Sequence, residues 1–141
     1  MNRLLLIVLF MSASSSAFGQ SLDHFRWKNR LLVINTSDLK APKFEKQLEE
    51  FEGQLKALKE RKLVIIYIQD DKYLIANSSD DQWKNISPKS DLKMFQQDSF
   101  TVSLIGLDGG VKMKSTEVIK AKRAFDKIDS MPMRRSEMGN L

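Results

Sequence analysis

Two short runs of apolar and β-branched residues constrain the fold of this chain more than any other feature. They are residues 30–36 (RLLVINT) and 63–68 (LVIIYI). Neither run alternates apolar with polar residues, and short uninterrupted runs of this kind are typical of strands buried on both faces. A helical pattern lies between them, and strands joined through a helix pair in parallel. The sequence therefore predicts an α/β protein with a parallel strand pair.

The segment between the two runs has the spacing of an amphipathic helix. Five apolar residues recur at intervals of four, three, four and three positions, namely Phe44, Leu48, Phe51, Leu55 and Leu58. This spacing places them on one stripe, and most charged residues fall elsewhere. Pro42 suits the first turn of a helix, where its missing N–H costs no hydrogen bond. We expect one helix of roughly 20 residues.

The second half of the chain predicts a hairpin. Residues 100–107 (FTVSLIGL) form a third strand, and residues 111–114 form a fourth strand antiparallel to it. Between them lies Asp108-Gly109-Gly110, in which glycine accepts the positive φ of a tight turn. Residues 69–89 are polar and are expected to be an irregular excursion. Residues 91–97 are expected to form a short helix capped by Ser90.

A second long helix is predicted after the hairpin. Ser115 would cap it, and its core face would carry Val118, Ala121, Phe125 and Ile128. Pro132 should end this helix. The resulting order is β-α-β-(α)-β-β-α, which fits a thioredoxin-like, four-stranded mixed sheet flanked by helices. A ferredoxin-like α+β fold is the alternative.

Residues 1–19 have the pattern of a cleavable signal peptide. Arg3 precedes an apolar run at 4–11, and small residues Ala17 and Gly19 follow. The run is shorter than the about 20 residues that span a bilayer, so we expect no stable membrane insertion after cleavage. The mature chain, residues 20–141, is expected to be a single domain, either periplasmic or secreted.

Composition excludes several chemistries. The chain has no cysteine and one histidine, which excludes disulfides, thiol nucleophiles, Cys-ligated metals and multi-His sites. The acidic pairs Asp70-Asp71 and Asp80-Asp81 do not match a calcium-loop spacing. We therefore expect no metal and no cofactor. The net charge of +5 is spread along the chain and only weakly favours acidic partners.

Three segments carry a family resemblance. They are residues 25–33 (FRWKNRLLV), 105–112 (IGLDGGVK) and 128–138 (IDSMPMRRSEM). The chain resembles the domain-of-unknown-function 4174 family of short exported bacterial proteins, whose related domains occur in vertebrate sushi-repeat and coiled-coil-containing extracellular matrix proteins. The resemblance implies a thioredoxin-like fold and supplies no established activity.

The same resemblance directs attention to the end of the first strand. In redox thioredoxins the reactive thiols follow that strand, whereas this chain has Thr36, Ser37 and Asp38 there. Without cysteine, thiol oxidoreductase or peroxidase activity is excluded. The three residues fit either a simple helix N-cap or an anion site. A thiol-independent reductase or hydrolase using this turn is the alternative function, although nothing in the sequence places His24 near Ser37 as its base.

The C-terminal segment is the other candidate site. Arg134, Arg135 and Glu137 suit recognition of a carboxylate or phosphate. They would equally suit a tail that folds back onto the last helix, with an arginine paired to Asp108 or Asp129. Arg30 closes a basic and aromatic lead-in that begins at His24.

From these features we expect an exported, non-catalytic binding module. Its candidate binding residues are Thr36, Ser37, Asp38, Arg30, Arg134, Arg135 and Glu137, with no catalytic residue assigned. Its partner would be an envelope or extracellular protein or an anionic ligand, and not a nucleic acid. The sequence leaves the oligomeric state open.

Overall fold

A six-stranded mixed sheet forms the centre of the computed structural model, which describes residues 22–77, 82–88, 90–97 and 99–139. The strands are β1 (Arg30–Asn35), β2 (Leu63–Gln69), β3 (Lys72–Ile75), β4 (Lys84–Asn85), β5 (Thr101–Ile105) and β6 (Val111–Ser115), in the spatial order β4-β3-β2-β1-β5-β6. The helices are α1 (Pro42–Glu50), α2 (Leu55–Glu60), α3 (Ala121–Asp129) and α4 (Pro132–Gly139). Short 3₁₀ turns span Leu22–His24 and Asp91–Phe95. The predicted leader lies outside the described residues.

Strand β1 is the central strand, and every one of its residues is buried. It pairs in parallel with β2 and antiparallel with β5, so that Leu32 lies between Ile65 and Leu104. The parallel pair predicted from the two apolar runs is confirmed. Burial on both faces is the reason the run shows no alternation of polar and apolar residues.

Each face of β1 contributes to a separate apolar core. Leu32 and Ile34 belong to the core that includes Phe44 of α1 and Ile128 of α3. The opposite core contains Leu31 and Val33, together with Phe25, Leu92 and Phe95 from the segments around the 3₁₀ turns. Successive residues of a strand point to opposite faces, so helices cover one face and shorter segments cover the other.

The prediction of four strands and an irregular excursion over residues 69–89 is wrong. Strands β3 and β4 form within this segment and extend the sheet beyond β2. Asp70 makes the tight β2–β3 turn at φ 51°, a left-handed conformation that Asp tolerates better than most residues. Tyr73 then packs into the second core. Strand β4 is too short and polar to be predicted from an apolar run, whereas β3 contains the apolar run Tyr73-Leu74-Ile75, which is shorter than the runs of β1 and β2. Asp80 and Asp81 lie outside the described residues.

The single long helix predicted after β1 is two helices. Helix α1 ends at Glu50, and α2 begins at Leu55 after Gly53, which has φ 69°. Glycine adopts this left-handed conformation without steric cost, which allows the helix to stop. Phe51 remains buried at the break, whereas Leu55 is 52% exposed and is not part of the core stripe.

The boundaries of the last helical region also differ from the prediction. Ser115 ends β6, where its hydroxyl accepts a hydrogen bond from the Glu117 N–H at 2.9 Å, and α3 begins only at Ala121. Helix α3 ends at Asp129, three residues before Pro132, and Pro132 itself begins α4, because proline fits the first helical position. The predicted hairpin of β5 and β6 and the Ser90 cap, which accepts from the Leu92 N–H, are confirmed.

A buried amide joins α1 to the segment before α3. Gln47 is fully buried, and its Oε1 accepts from the Ile119 N–H at 2.8 Å while its Nε2 donates to the Ile119 carbonyl at 2.9 Å. One side chain therefore satisfies both backbone groups of a residue that is itself fully buried. Losing such partners costs about 1–3 kcal/mol per group.

We expect Gln47→Leu to lower the free energy of unfolding by about 2–4 kcal/mol, because both polar groups of Ile119 would be buried without partners. Urea denaturation of residues 20–141 measures this change. The exposed neighbour provides a control, since Lys46→Leu should shift the free energy by no more than about 0.5 kcal/mol. Equal stability of the two variants would contradict the role assigned to Gln47.

Candidate functional site

Arg30 begins β1 with a side chain that is only 1% exposed. Its Nη1 donates to the Arg61 carbonyl at 2.9 Å. Its two terminal nitrogens each donate to one oxygen of Glu137 at 3.3 Å. Because β1 is the central strand, this forked contact attaches the C-terminal helix α4 to the middle of the sheet.

Glu137 forms ion pairs with three basic side chains. Its carboxylate also lies 3.5 Å from Nη1 of Arg134 and 3.7 Å from Nζ of Lys62. Arg134 is buried and donates in addition to the Glu60 carbonyl at 2.9 Å. Glu137 and Arg134 thereby hold α4 to the end of α2, through Lys62 and the Glu60 carbonyl.

Asp129, at the end of α3, is shared in the same way. It accepts from Arg61 at 2.9 and 3.1 Å and from Nε of Arg134 at 3.0 Å. The Arg61 guanidinium also lies 4.4 Å from the centre of the Phe125 ring, a favourable cation–π geometry. These groups are called the arginine cluster below, which consists of Arg30, Arg61, Lys62, Asp129, Arg134 and Glu137.

The arginine cluster carries more positive than negative charge. Its ion pairs join four basic side chains to two carboxylates, which leaves a formal excess of two positive charges. Arg30 and Arg134 are both buried, and a buried charge is costly when it lacks a full counter-charge. Within the described residues, Nε of Arg30 is also buried without a hydrogen-bond partner.

The cluster sets the ionisation of Asp129. Burial by itself raises the pKa of this carboxyl, but the hydrogen bonds and positive charges of Arg61 and Arg134 outweigh burial and hold the pKa below its ordinary value of 3.8. Asp129 is therefore ionised throughout the neutral range, as its two guanidinium partners require.

A pocket of about 390 Å³ opens between the β5–β6 turn and the junction of α3 with α4. Arg30 of the arginine cluster lines it, and Lys112 and Lys127 add two further basic side chains. Its lining also contains apolar residues, namely Leu107, Met131, Pro132 and Met133. The volume lies within the range of small-molecule sites.

The electrostatics of the pocket favour an anion. Asp108 is the acidic residue of the lining, and it is paired with Lys112 at 2.9 Å. The hydrogen bond from Lys112, followed by that from the Gly110 N–H, holds the pKa of Asp108 below its ordinary value. Lys127 forms no ion pair in the part of the chain that the structure describes. A positive charge thus remains available beside Arg30.

Gly106 allows Lys112 to take its position at this pocket. A Cβ on Gly106 would lie 2.7 Å from Cε of Lys112, closer than unbonded carbon atoms approach. The glycine therefore leaves space for the lysine side chain to cross the turn and reach Asp108. Packing against Lys112 thus accounts for Gly106, the first glycine of the family-like string IGLDGGVK.

Thr36, Ser37 and Asp38 lie at the opposite end of β1. The Thr36 hydroxyl donates to the Asp38 carbonyl at 2.8 Å and accepts from the Asp38 N–H at 3.2 Å. Asp38 Oδ1 accepts from the Lys40 N–H at 2.9 Å, and Ser37 is exposed. Six extended residues separate this turn from Arg30, about 20 Å, so the turn and the C-terminal segment do not form one surface.

The C-terminal candidates separate into structural and exposed residues. Arg134 and Glu137 lie in the arginine cluster, and Arg134 pairs with Asp129, as one of the two sequence interpretations anticipated. Arg135 is exposed and does not line the pocket. Sequence reasoning missed Arg61, Lys112 and Lys127, because they come from three distant segments that share no local pattern.

Comparison with known families agrees with the resemblance noted in the sequence. The family model for the domain of unknown function DUF4174 matches residues 21–137. The chain belongs to the DUF4174 family. No curated protein and no solved structure matches it significantly. The matched range of this DUF4174 domain includes the entire arginine cluster and the pocket.

Within the described residues of the DUF4174 domain, no group of three or more histidine, cysteine, aspartate or glutamate side chains is arranged to hold a metal ion. None of the described helices is both long and apolar enough to cross a membrane.

The charge excess predicts an unequal effect of two substitutions in the cluster. Glu137→Gln removes a negative charge from beside buried Arg30, and we expect it to lower the free energy of unfolding by about 3–5 kcal/mol. Arg134→Met reduces the excess of positive charge in the cluster and loses mainly hydrogen bonds. We therefore expect it to lower the free energy of unfolding by about 1–2 kcal/mol. Urea denaturation compares them, with exposed Arg135→Met as the control. The reverse order would contradict the charge assignment.

The lowered pKa of Asp129 predicts a specific acid sensitivity. Its contribution to stability is present above the unfolded-state value of 3.8 and is lost as the pH falls through the lower folded-state pKa. We expect the stability difference between the wild type and Asp129→Asn to be constant above about pH 5 and to shrink below that. Denaturation at several pH values tests this, and Asp126→Asn on the same helix controls for the lost charge. A difference that does not change with pH would contradict it.

Proposed function

We propose that this DUF4174 domain is an exported, non-catalytic binding module with a thioredoxin-like fold, and that its ligand or partner presents an anionic group to the pocket beside Arg30. The observation that carries the proposal is the charge imbalance of the arginine cluster. Four basic side chains there share two carboxylates, and one of them, Arg30, lines an open pocket.

An anion in the pocket would relieve this imbalance. The guanidinium of Arg30 is held by Glu137 and by the Arg61 carbonyl, so its position is set before any ligand arrives. The Arg30 side chain is 1% exposed and its terminal nitrogens are already bonded, so Arg30 would act on an anion through its charge. Lys112, which is paired with Asp108, and Lys127 lie in the same lining. Lys127 would donate the charge-assisted hydrogen bond to the anion, and such bonds are the strong ones.

The sheet supports the thioredoxin-like part of the proposal. The four strands predicted from the sequence are neighbours in the order β2-β1-β5-β6, with β1 and β2 parallel and the other two pairs antiparallel. A ferredoxin-like split βαβ unit would place another strand between β1 and β2. Here these two strands pair directly along their length, which argues against the ferredoxin-like alternative.

Export is supported by the position of the family match. The match begins at residue 21, directly after the segment with signal-peptide character at residues 1–19. We place the mature domain in the periplasm or outside the cell, where its partner would be an envelope or extracellular protein or a free anion. Measuring the mass of the protein recovered from an expressing cell would reveal whether cleavage follows Gly19.

The geometry gives less support to the alternative enzyme. The hydroxyl of Thr36 is engaged with the backbone of Asp38 on both its donor and acceptor sides. His24 packs edge-to-face against Phe25, in the segment that leads into the Arg30 end of β1, whereas the Thr36 turn follows the other end. The predicted N-cap role of this turn is wrong, because α1 begins at Pro42 with Ala41 as its N-cap and no side-chain cap bond. The bonds of Thr36 and Asp38 stabilise the turn itself, which lacks the histidine base that hydroxyl activation would use.

We expect the mature chain, residues 20–141, to bind acetate and inorganic phosphate at the pocket. Titration followed by ¹⁵N NMR should move the amide signals of Arg30, residues 106–112 and Lys127. Lys127→Gln should weaken acetate binding by about tenfold, because one charge-assisted contact is lost. Exposed Lys56→Gln is the matched control and should bind like the wild type. Unmoved pocket signals, or equal affinity in the Lys127 variant, would refute the proposed function.

A further inference from the structure

We infer that the natural ligand of this pocket is a small monocarboxylate with an unbranched apolar chain of about eight carbon atoms. The inference rests on the proposed anion-binding function and adds the chemical class of the anion. Three properties of the pocket support it, namely its charge pattern, its apolar wall and its volume.

The charge pattern favours one negative charge over two. Arg30 is paired with Glu137 and Lys112 with Asp108, whereas Lys127 forms no ion pair among the described residues. The lining therefore offers one positive charge that is not already matched. A carboxylate matches it without the second negative charge that a dianion would bring.

The apolar wall gives the rest of the ligand a place to lie. Leu107, Met131, Pro132 and Met133 line the pocket next to the basic residues. Met133 is 44% exposed although it is large and apolar, which leaves apolar surface available to a ligand. Methionine side chains are flexible and adapt to the shape of what they contact, so two of them suit a chain that has no rigid shape.

The volume limits the length of chain that the pocket can hold. At the roughly 30 Å³ that a water molecule occupies in the liquid, the pocket volume of about 390 Å³ accommodates on the order of a dozen non-hydrogen atoms. An eight-carbon carboxylate, with its ten non-hydrogen atoms, fits within this limit. Longer chains would extend into solvent and gain little from further carbons.

The test is calorimetric titration of residues 20–141 with acetate, butyrate, hexanoate, octanoate and decanoate below their micelle concentrations. We expect Kd to fall by about two- to fourfold for each added methylene, the upper figure being that of complete burial. The fall should level off near eight carbons. Octan-1-ol, which has the chain without the charge, and inorganic phosphate, which has the charge without the chain, should both bind more weakly than octanoate.

Two substitutions separate the contributions of the wall and the charge. Met133→Ser should reduce the dependence of Kd on chain length, so that it weakens the binding of octanoate more than the binding of acetate. Lys127→Gln should weaken every acid by the same factor and leave the chain-length dependence unchanged. The matched control is Met94→Ser, since Met94 is a 63% exposed methionine outside the pocket lining. This control should behave as the wild type.

The possible results distinguish the inference from the function beneath it. Binding of acetate and phosphate with no gain from longer chains would overturn the inference and leave the anion-binding module standing. Octan-1-ol binding as tightly as octanoate, or no binding of any probe, would overturn both. A chain-length dependence that Met133→Ser reduces and Met94→Ser preserves would support both.

Discussion

The sharing of two carboxylates by four basic side chains, of which Arg30 and Arg134 are buried, is the interaction on which the rest of this structure depends. Glu137 and Asp129 connect the start of β1, the end of α2 and the junction of α3 with α4. The chain has no cysteine, so no disulfide reinforces these contacts. Buried ion pairs need good geometry and additional hydrogen bonds to offset desolvation, and Arg30, Arg61 and Arg134 each donate to a backbone carbonyl as well.

In the proposed function the same contacts would link stability to binding. The cluster retains an excess of positive charge, and Arg30, which holds α4 through Glu137, also lines the pocket. An anion that binds only the folded state would stabilise it in proportion to the logarithm of its concentration. Ligand binding would then add to the stability of the fold.

The lead-in to β1 supports the pocket from outside. The Trp27 N–H donates to the Leu107 carbonyl at 2.7 Å, and the Arg26 guanidinium lies against Gly109 of the β5–β6 turn. Trp27 adopts φ 66° and is 61% exposed, an uncommon conformation for a bulky residue. These contacts bring the family-like strings at residues 25–33 and 105–112 together in space, next to the pocket.

The sequence by itself determined the parallel pair of β1 and β2, the β5–β6 hairpin and the absence of thiol chemistry, because burial periodicity, turn residues and composition are local properties. Only the tertiary structure decided that residues 72–75 and 84–85 join the sheet, since segments this short are fixed by their pairing with a neighbouring strand. It also decided that Arg30, Lys112 and Lys127 meet at one pocket while Thr36 lies elsewhere. Long-range charge contacts of this kind leave no periodic pattern, because each residue is placed by a different element.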